Sequence, residues 1–126
     1  MKAEKQHVHD FWNEASCGER LYLKGFGRED YDAQARQRYE LEPYILGFAD
    51  FDDAQGKRVL EIGVGLGADH QRFAQAGADL NGIDLTERAI EHTQRRLAVF
   101  GVPSQLAVGD AEQLNFPAGY FDMVYS

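Results

Sequence analysis

The sequence predicts an α/β fold built on a doubly wound parallel sheet, and three observations predict it. From residue 57 onward, short apolar runs alternate with helical stretches, which is typical of strands connected by helices. A glycine-rich turn follows the first apolar run, and acidic residues follow the next two. Because ligands of open α/β sheets bind at the carboxyl ends of the strands, this order predicts a binding site there.

The residues before the first strand predict helices. Apolar residues within 8–15 recur at spacings of three and four, the period of one helix face. Residues 19–30 contain two glycines and are predicted to form a loop. A second helical stretch covers residues 31–51, with Pro43 marking a break or a new first turn. We interpret residues 1–55 as a helical cap on the sheet or a lid over the ligand site.

Residues 56–126 predict the sheet itself. The predicted strands span residues 57–63, 79–85, 104–110 and 121–126, and the predicted helices span residues 68–76 and 86–100. Gly77 suits the C-terminal cap of the first helix, and Thr86 suits the N-terminal cap of the second. The turn at residues 117–119 precedes the last strand. This order of elements is half of a doubly wound fold.

The glycine-rich turn at residues 63–67 is the densest local signal. Glycine at Gly63, Gly65 and Gly67 lets the backbone adopt positive φ and lets a ligand approach the main chain closely. The helix that follows directs free N–H groups at that ligand. The same spacing fits the dinucleotide-binding pattern, so the turn alone leaves the ligand open.

Glu61 separates these possibilities because it lies within an otherwise apolar strand. A buried carboxylate is costly without hydrogen-bond donors or a cation nearby. It repels a pyrophosphate and favours a ligand that carries an ammonium or sulfonium charge. The alternative is that Glu61 only binds backbone N–H groups of the glycine turn.

Two further acids follow the second and third strands. Asp84 ends the second strand, where an acid accepts hydrogen bonds from ribose hydroxyls; the alternative is an acid at the start of the next helix. Asp110 follows the third strand, where it can accept from an exocyclic amine such as that of adenine, while the Ala111 N–H donates to a ring nitrogen. The alternative for Asp110 is a loop acid.

Composition excludes several classes of protein. The chain has 13 Lys and Arg against 21 Asp and Glu, a net charge of -8, which argues against binding to nucleic-acid phosphates. It has no apolar run of the roughly 20 residues that a membrane helix needs, and it starts without a secretory signal, so we expect a soluble cytoplasmic protein. The single cysteine, Cys17, excludes an intrachain disulfide.

The histidines predict no catalytic or metal site. His7 and His9 lack a third ligand, so we expect no bound metal. His70 and His92 have no nucleophile partner in the sequence, and His92 is predicted to face solvent.

The segments VLEIGVGLGAD, GIDLTERAI and GDAEQLNFPAGYFDMVYS resemble successive motifs of class I S-adenosylmethionine-dependent methyltransferases. The Phe-Pro segment is similar to that of the methyltransferase type 11 group, which includes ubiquinone- and menaquinone-type enzymes. The resemblance implies a Rossmann-like sheet with strand order 3-2-1-4, the first part of the family's order 3-2-1-4-5-7-6. It also implies S-adenosylmethionine as the cofactor and a small-molecule methyl acceptor that the sequence does not identify.

The resemblance further implies a set of cofactor-binding residues at the carboxyl ends of the strands: Glu61, Gly63, Gly65, Gly67, Asp84, Leu85, Asp110, Ala111 and Ser126. The glycine turn and Glu61 are expected to hold the methionine part, with the Ser126 main chain nearby. Asp84 is expected to bind the ribose, Leu85 to contact the adenine face, and residues 110–111 to bind its edge. No catalytic base is predicted.

The family's later strands, which shape the acceptor site, follow the fourth strand. We therefore expect a truncated chain, or a homodimer that pairs through the edge strand at residues 121–126. The first alternative function is a non-catalytic cofactor-binding or dimerising module. The second is an NAD-dependent oxidoreductase. Glu61 argues against it, because dinucleotide-binding folds usually have an apolar residue at that position, and Asp110 also argues against it.

Overall fold

The structure, a computed structural model, describes residues 23–126. The predicted helix within residues 8–15, and with it His7, His9 and Cys17, lies outside the described residues. Among the described residues, three helical elements precede the sheet: α1 (Arg28–Leu41), α2 (Tyr44–Ala49) and a short 3-10 turn (Phe51–Ala54). The sheet and its connecting helices follow as β1 (Arg58–Ile62), α3 (Ala68–Gln75), β2 (Asp79–Asp84), α4 (Glu87–Phe100), β3 (Gln105–Val108) and β4 (Met123–Tyr125).

The start of α1 differs from the predicted loop over residues 19–30. The helix begins at Arg28 because Asp30 caps it: the Gly27 N–H donates to Asp30 Oδ2 at 3.0 Å. Pro43 immediately precedes α2, so the predicted break lies where proline restricts the backbone. Along residues 23–126, none of the helices combines the length and the apolar character needed to cross a bilayer.

The sheet has the predicted parallel pairing and the strand order β3-β2-β1-β4. In its register, Glu61 of β1 lies between Gly82 of β2 and Tyr125 of β4. Because all four strands run in the same direction, their carboxyl ends and the loops that follow them lie at one end of the sheet. The predicted fold class is confirmed.

The core lies between β1 and the helices that cover it. Val59 and Leu60 are fully buried in β1, as expected for a strand covered on both faces. Phe73 of α3 is also fully buried and contacts two other rings edge to face. Its centroid lies 4.8 Å from that of Phe51 in the 3-10 turn and 5.3 Å from that of Tyr125 in β4. The core therefore joins the preceding helices to the sheet.

Arg96 of α4 anchors α1 to the glycine turn. Its guanidinium is fully buried and donates to the Tyr31 carbonyl at 2.8 Å and the Leu66 carbonyl at 3.2 Å. It also donates to the side-chain oxygens of Gln34 and Gln71, each at 2.6 Å. Burial lowers the pKa of Arg96 to about 10. These contacts place one face of α1 above the turn that leaves β1.

Candidate functional site

The glycine turn adopts the backbone conformation that its sequence predicts. Gly63, Gly65 and Gly67 have φ values of 81°, 55° and 85°, a region that favours glycine. A Cβ built at Gly63 or Gly65 would meet no atom within 4 Å. Glycine is therefore needed at these two positions for backbone conformation, and the space beside them is open to a ligand.

Asp84 connects this turn to the start of α4 through hydrogen bonds. Its Oδ2 accepts from the Gly65 N–H at 3.2 Å, and its Oδ1 accepts from the Thr86 N–H and hydroxyl, each at 3.1 Å. The Thr86 hydroxyl in turn accepts from the Ala89 N–H, which confirms the predicted helix cap. The structural role considered for Asp84 is present, and its carboxylate also lines a cavity.

Two adjoining cavities open at the carboxyl ends of the strands and share Gly63. The first, here called the turn cavity, has a volume of about 150 Å³. It is lined by the glycine turn together with Gln34, Arg38, Glu61 and Asp69. The second, here called the strand-end cavity, has a volume of about 330 Å³. Its lining includes Asp84, Leu85, Asp110 and Ala111.

Glu61 is buried at the base of the turn cavity and contacts a histidine. Its Oε1 lies 3.0 Å from Nδ1 of His70, whose ring is fully buried. Nε2 of the same ring lies 2.6 Å from the Ser104 hydroxyl. Within residues 23–126, His70 is the hydrogen-bond partner of Glu61, which leaves Oε2 for a ligand. Glu61 therefore does not bind the backbone of the glycine turn, the alternative considered for it.

Burial shifts the pKa values of this pair in opposite directions. It raises the pKa of Glu61 well above its usual value, and the negative charge of Asp69 adds to that effect. It lowers the pKa of His70 to about 4. Both shifts favour the uncharged forms, as expected for groups removed from water without a charged ligand.

Arg38 and Asp69 form an ion pair across the same cavity. The Arg38 guanidinium donates to both carboxylate oxygens of Asp69, at 3.1 and 2.7 Å. The hydroxyls of Tyr39 and Tyr125 also donate to Asp69, at 2.7 and 2.9 Å. Burial alone would raise the pKa of Asp69, but these donors lower it. The site thus has a neutral ion pair beside Glu61, with a half-exposed guanidinium that lines the cavity.

The structure brings most of the predicted residues together. The turn cavity contains Glu61 and the three glycines, and the strand-end cavity contains the residues predicted to bind ribose and adenine. Ser126 lines neither cavity; it follows Tyr125, which pairs with Glu61 in the sheet.

One prediction about the histidines is wrong, because His92 is only 7% exposed instead of facing solvent. Nothing in the sequence indicated that His70 has hydrogen-bond partners on both ring nitrogens. Sequence reasoning also missed Arg38 and Asp69 as lining residues. Asp69 has a usable signal, since it lies in the first turn of the helix that follows the glycines. Arg38 has none, because it belongs to a distant helix.

Comparison with known proteins yields a family and a fold. A family model described as a methyltransferase domain matches residues 59–126. A ubiquinone biosynthesis O-methyltransferase from Azoarcus sp. is 34% identical over 98 residues, which cover 75% of this chain and 42% of the relative. A fatty-acid O-methyltransferase from Mycolicibacterium smegmatis is 36% identical over 89 residues, covering 69% of this chain and 31% of the relative.

A solved structure with the same fold is that of magnesium protoporphyrin IX methyltransferase (ChlM) from Synechocystis PCC 6803 with bound SAM. Its TM-score is 0.70 at 23% sequence identity, and the match covers 98% of this chain and 61% of that chain. The present chain spans less than half the length of the two curated relatives.

Proposed function

This chain belongs to the methyltransferase domain family, and on that premise we propose that it binds S-adenosylmethionine and transfers the methyl group to a small-molecule acceptor. The observation that carries the proposal is the position of Glu61. Its carboxyl lies buried beneath an open glycine turn, with Oε2 available to a positively charged ligand. A nucleotide phosphate in the same place would make ionisation of that carboxyl still more costly, whereas an ammonium group offsets the cost, which disfavours the NAD-dependent alternative.

The residues present fit S-adenosylmethionine in three respects. The space beside Gly63 and Gly65 is free of side chains, so a ligand can contact the main chain there. Glu61 suits the ammonium group of the methionine part. Arg38 lines the same cavity and suits the carboxylate. Its hydrogen bonds to Asp69 raise its pKa by more than burial lowers it, so the guanidinium stays charged.

The strand-end cavity suits the adenosine part. We assign the ribose hydroxyls to Asp84, the adenine face to Leu85 and the adenine edge to Asp110 with the Ala111 N–H. Ser126 is assigned, through its main chain, to the methionine end. The two cavities share Gly63, so one elongated ligand can occupy both.

Bound in this way, S-adenosylmethionine supplies an electrophilic methyl group for in-line displacement. The residues of this chain hold the two ends of the molecule, which fixes the direction in which the methyl group points. The names of the two O-methyltransferase relatives support an oxygen as the acceptor atom. Residues 1–55 form the cap in this proposal, and residues 56–126 form the binding part.

The exposed edge strand supports a proposal about oligomeric state, and the cysteine content supports one about cellular location. β4 pairs only with β1 among the described strands, and Val124 on it is 60% exposed. This supports a homodimer through residues 121–126, and it also favours the dimerising module as the second candidate function. A cytoplasmic location is supported by the single cysteine, which suits a reducing compartment.

Calorimetry with S-adenosylmethionine, S-adenosylhomocysteine and NAD tests the proposal. We expect the first two to bind and NAD not to bind. Asp84→Asn should weaken binding by about 1–3 kcal/mol, since it removes charge-assisted hydrogen bonds. Asp79→Asn, at the exposed opposite end of β2, is the matched control and should leave affinity unchanged.

The outcomes separate the candidate functions. Binding of NAD alone would reject the methyltransferase proposal in favour of an oxidoreductase. Binding of the two adenosyl compounds without methyl transfer to any acceptor tried would favour the non-catalytic module. An equal effect of the two aspartate substitutions would show that the pocket is misplaced.

A further inference from the structure

His70 connects the buried carboxyl of Glu61 in β1 to the hydroxyl of Ser104, the residue before β3. Its Nδ1 lies 3.0 Å from Glu61 Oε1, and its Nε2 lies 2.6 Å from Ser104 Oγ. Ser104 Oγ also lies 3.2 Å from the Leu80 carbonyl, to which it can donate. A continuous row of hydrogen bonds therefore runs from the turn cavity, through the ring on α3, to the residue before β3.

The fold makes specific room for this ring. Gly82 of β2 lies between Glu61 of β1 and Leu106 of β3. A Cβ on Gly82 would lie 2.6 Å from Cε1 of His70, closer than real side chains approach. The absence of a side chain at Gly82 therefore lets the imidazole lie across the sheet, where it is fully buried.

This row of hydrogen bonds is complete in two protonation states. In the first, Ser104 donates to the Leu80 carbonyl, so Nε2–H donates to Ser104 and the protonated Glu61 donates to Nδ1. In the second, Glu61 is ionised and accepts from Nδ1–H, while the Ser104 hydroxyl turns to donate to Nε2. The second state contains one proton fewer than the first.

A serine, a histidine and a glutamate in a row also occur in hydrolases as nucleophile, base and orienting acid. Here the ring is fully buried, and Ser104 precedes β3 at the amino end of the strand, away from both cavities of the site. A ligand in either cavity does not contact that hydroxyl, so the row does not supply a nucleophile to the proposed site.

We propose that His70 is a positioning residue that couples binding of a cationic group at Glu61 to the release of one proton. The inference rests on the proposed function, since the ammonium of the adenosyl compound is the cation concerned. On binding, the O–H bond of Glu61 breaks and an N–H bond forms at Nδ1. The Nε2–H bond breaks, one proton passes to solvent, and the Ser104 hydroxyl turns to Nε2.

The charged groups around Glu61 favour the protonated state in the free protein. Asp69 from α3 and Asp84 from β2 raise the pKa of Glu61 beyond the effect of burial, and Arg38 from α1 lowers it. Tyr125 from β4 is neutral, because burial and Asp69 raise the pKa of its hydroxyl. Burial lowers the pKa of His70 to about 4, so the histidine carries no charge of its own at neutral pH.

The test uses the whole chain with two probes. S-adenosylhomocysteine carries the ammonium group, and 5′-methylthioadenosine lacks the amino-acid part. For S-adenosylhomocysteine we expect the Kd to fall about tenfold per pH unit up to a midpoint set by Glu61 and to be constant above it. Calorimetry in two buffers of different ionisation enthalpy should show the release of about one proton below that midpoint. 5′-Methylthioadenosine should show neither effect.

Two substitutions of His70 separate proton coupling from packing. His70→Leu fills the space without a polar atom, so it should raise the midpoint of the Kd profile by about one pH unit or more. His70→Asn restores an N–H donor to Glu61 and should return the midpoint to the wild-type value or below. His92→Asn, at the other buried histidine of the described chain, is the control and should leave the profile unchanged.

Equal midpoints for the Leu and Asn variants, or S-adenosylhomocysteine binding with no proton released, would overturn the inference. The proton count of the wild-type protein can overturn the inference even if neither variant folds. Failure of the proposed function is distinct, because S-adenosylhomocysteine would then not bind at any pH.

Discussion

At the scale of single residues, Glu61 and His70 make contributions to the free energy of unfolding that depend on pH in opposite directions. Unfolded histidine titrates near pH 6.5 and unfolded glutamate at about pH 4.3. Between these values His70, with a folded pKa of about 4, gains a proton only on unfolding, so its contribution to stability is lost as pH falls. Glu61, with a raised folded pKa, holds a proton only in the folded state, so its contribution is lost as pH rises. The two contributions oppose each other over this range.

Glu61→Gln should reveal the histidine contribution. We expect the free energy of unfolding of this variant to fall by about 3 kcal/mol as pH decreases from 6.5 to 4, because His70 must then be kept uncharged without compensation. Urea unfolding at several pH values measures this. Glu29→Gln, on the exposed first turn of α1, is the control. A Glu61→Gln profile parallel to that of Glu29→Gln would contradict the assignment of a protonated Glu61.

At the scale of elements, the contact between α1 and the sheet depends on a buried cation. Within residues 23–126, the hydrogen bonds of Arg96 go to neutral oxygens on α1, α3 and the glycine turn, and none goes to a carboxylate. The planar guanidinium reaches these oxygens in different directions, which a lysine cannot do. Arg96 therefore fixes the helix that brings Arg38 to the turn cavity.

Arg96→Leu should lower the free energy of unfolding by about 3–5 kcal/mol, because it leaves several buried oxygens without donors. Arg95→Leu is the matched control on the same helix: the Arg95 guanidinium lies over the exposed Phe26 ring at 4.2 Å, and its loss should cost less than about 1 kcal/mol. Urea unfolding of both variants measures the difference. Similar losses for the two would show that Arg96 does not anchor α1.

Two glycine substitutions should have opposite effects because their elements differ. Gly82→Ala in β2 places a methyl group 2.6 Å from His70 and 2.8 Å from Leu106 and Val64, so we expect a loss of about 1–3 kcal/mol. Gly47→Ala in α2 meets no atom within 4 Å and should stabilise the protein by about 0.5–1 kcal/mol, since alanine favours a helix. Thermal unfolding compares them. A tolerated Gly82→Ala would mean that the His70 ring is not held against β2.

At the scale of the whole molecule, the sheet ends in two strands that each have one neighbour among the described residues. β4 pairs with β1, and β3 pairs with β2. Val124 and Val108 are exposed on these two edges, at 60% and 49%. A sheet edge with apolar side chains favours pairing with another chain, and a charge there prevents it.

Val124→Lys should convert a dimer to a monomer if residues 121–126 form the interface. Val108→Lys introduces the same charge on the opposite edge and should leave the dimer intact. Sedimentation velocity of the wild-type protein and both variants measures this. A wild-type monomer, or a dimer lost only with Val108→Lys, would reject the proposed interface.

The sequence by itself determined the parts of this protein that depend on local pattern. The alternation of strands and helices, the glycine turn at residues 63–67 and the acids Glu61, Asp84 and Asp110 were all predictable. Each follows from spacing along a short segment, because a parallel sheet brings the carboxyl ends of its strands together whatever packs above them. The start of α1 was missed because its cap, Asp30, lies within a segment whose glycines indicate a loop.

Only the tertiary structure decided which side chains form hydrogen bonds with the acids or line the cavity beside them. Glu61 contacts His70 on the next helix, and His70 contacts Ser104, which precedes β3. Arg38 enters the turn cavity from a helix that precedes the sheet. These pairings join residues far apart in the chain, and they exist because buried polar groups must find partners among whatever the fold brings within hydrogen-bond distance. No periodicity in the sequence encodes that choice.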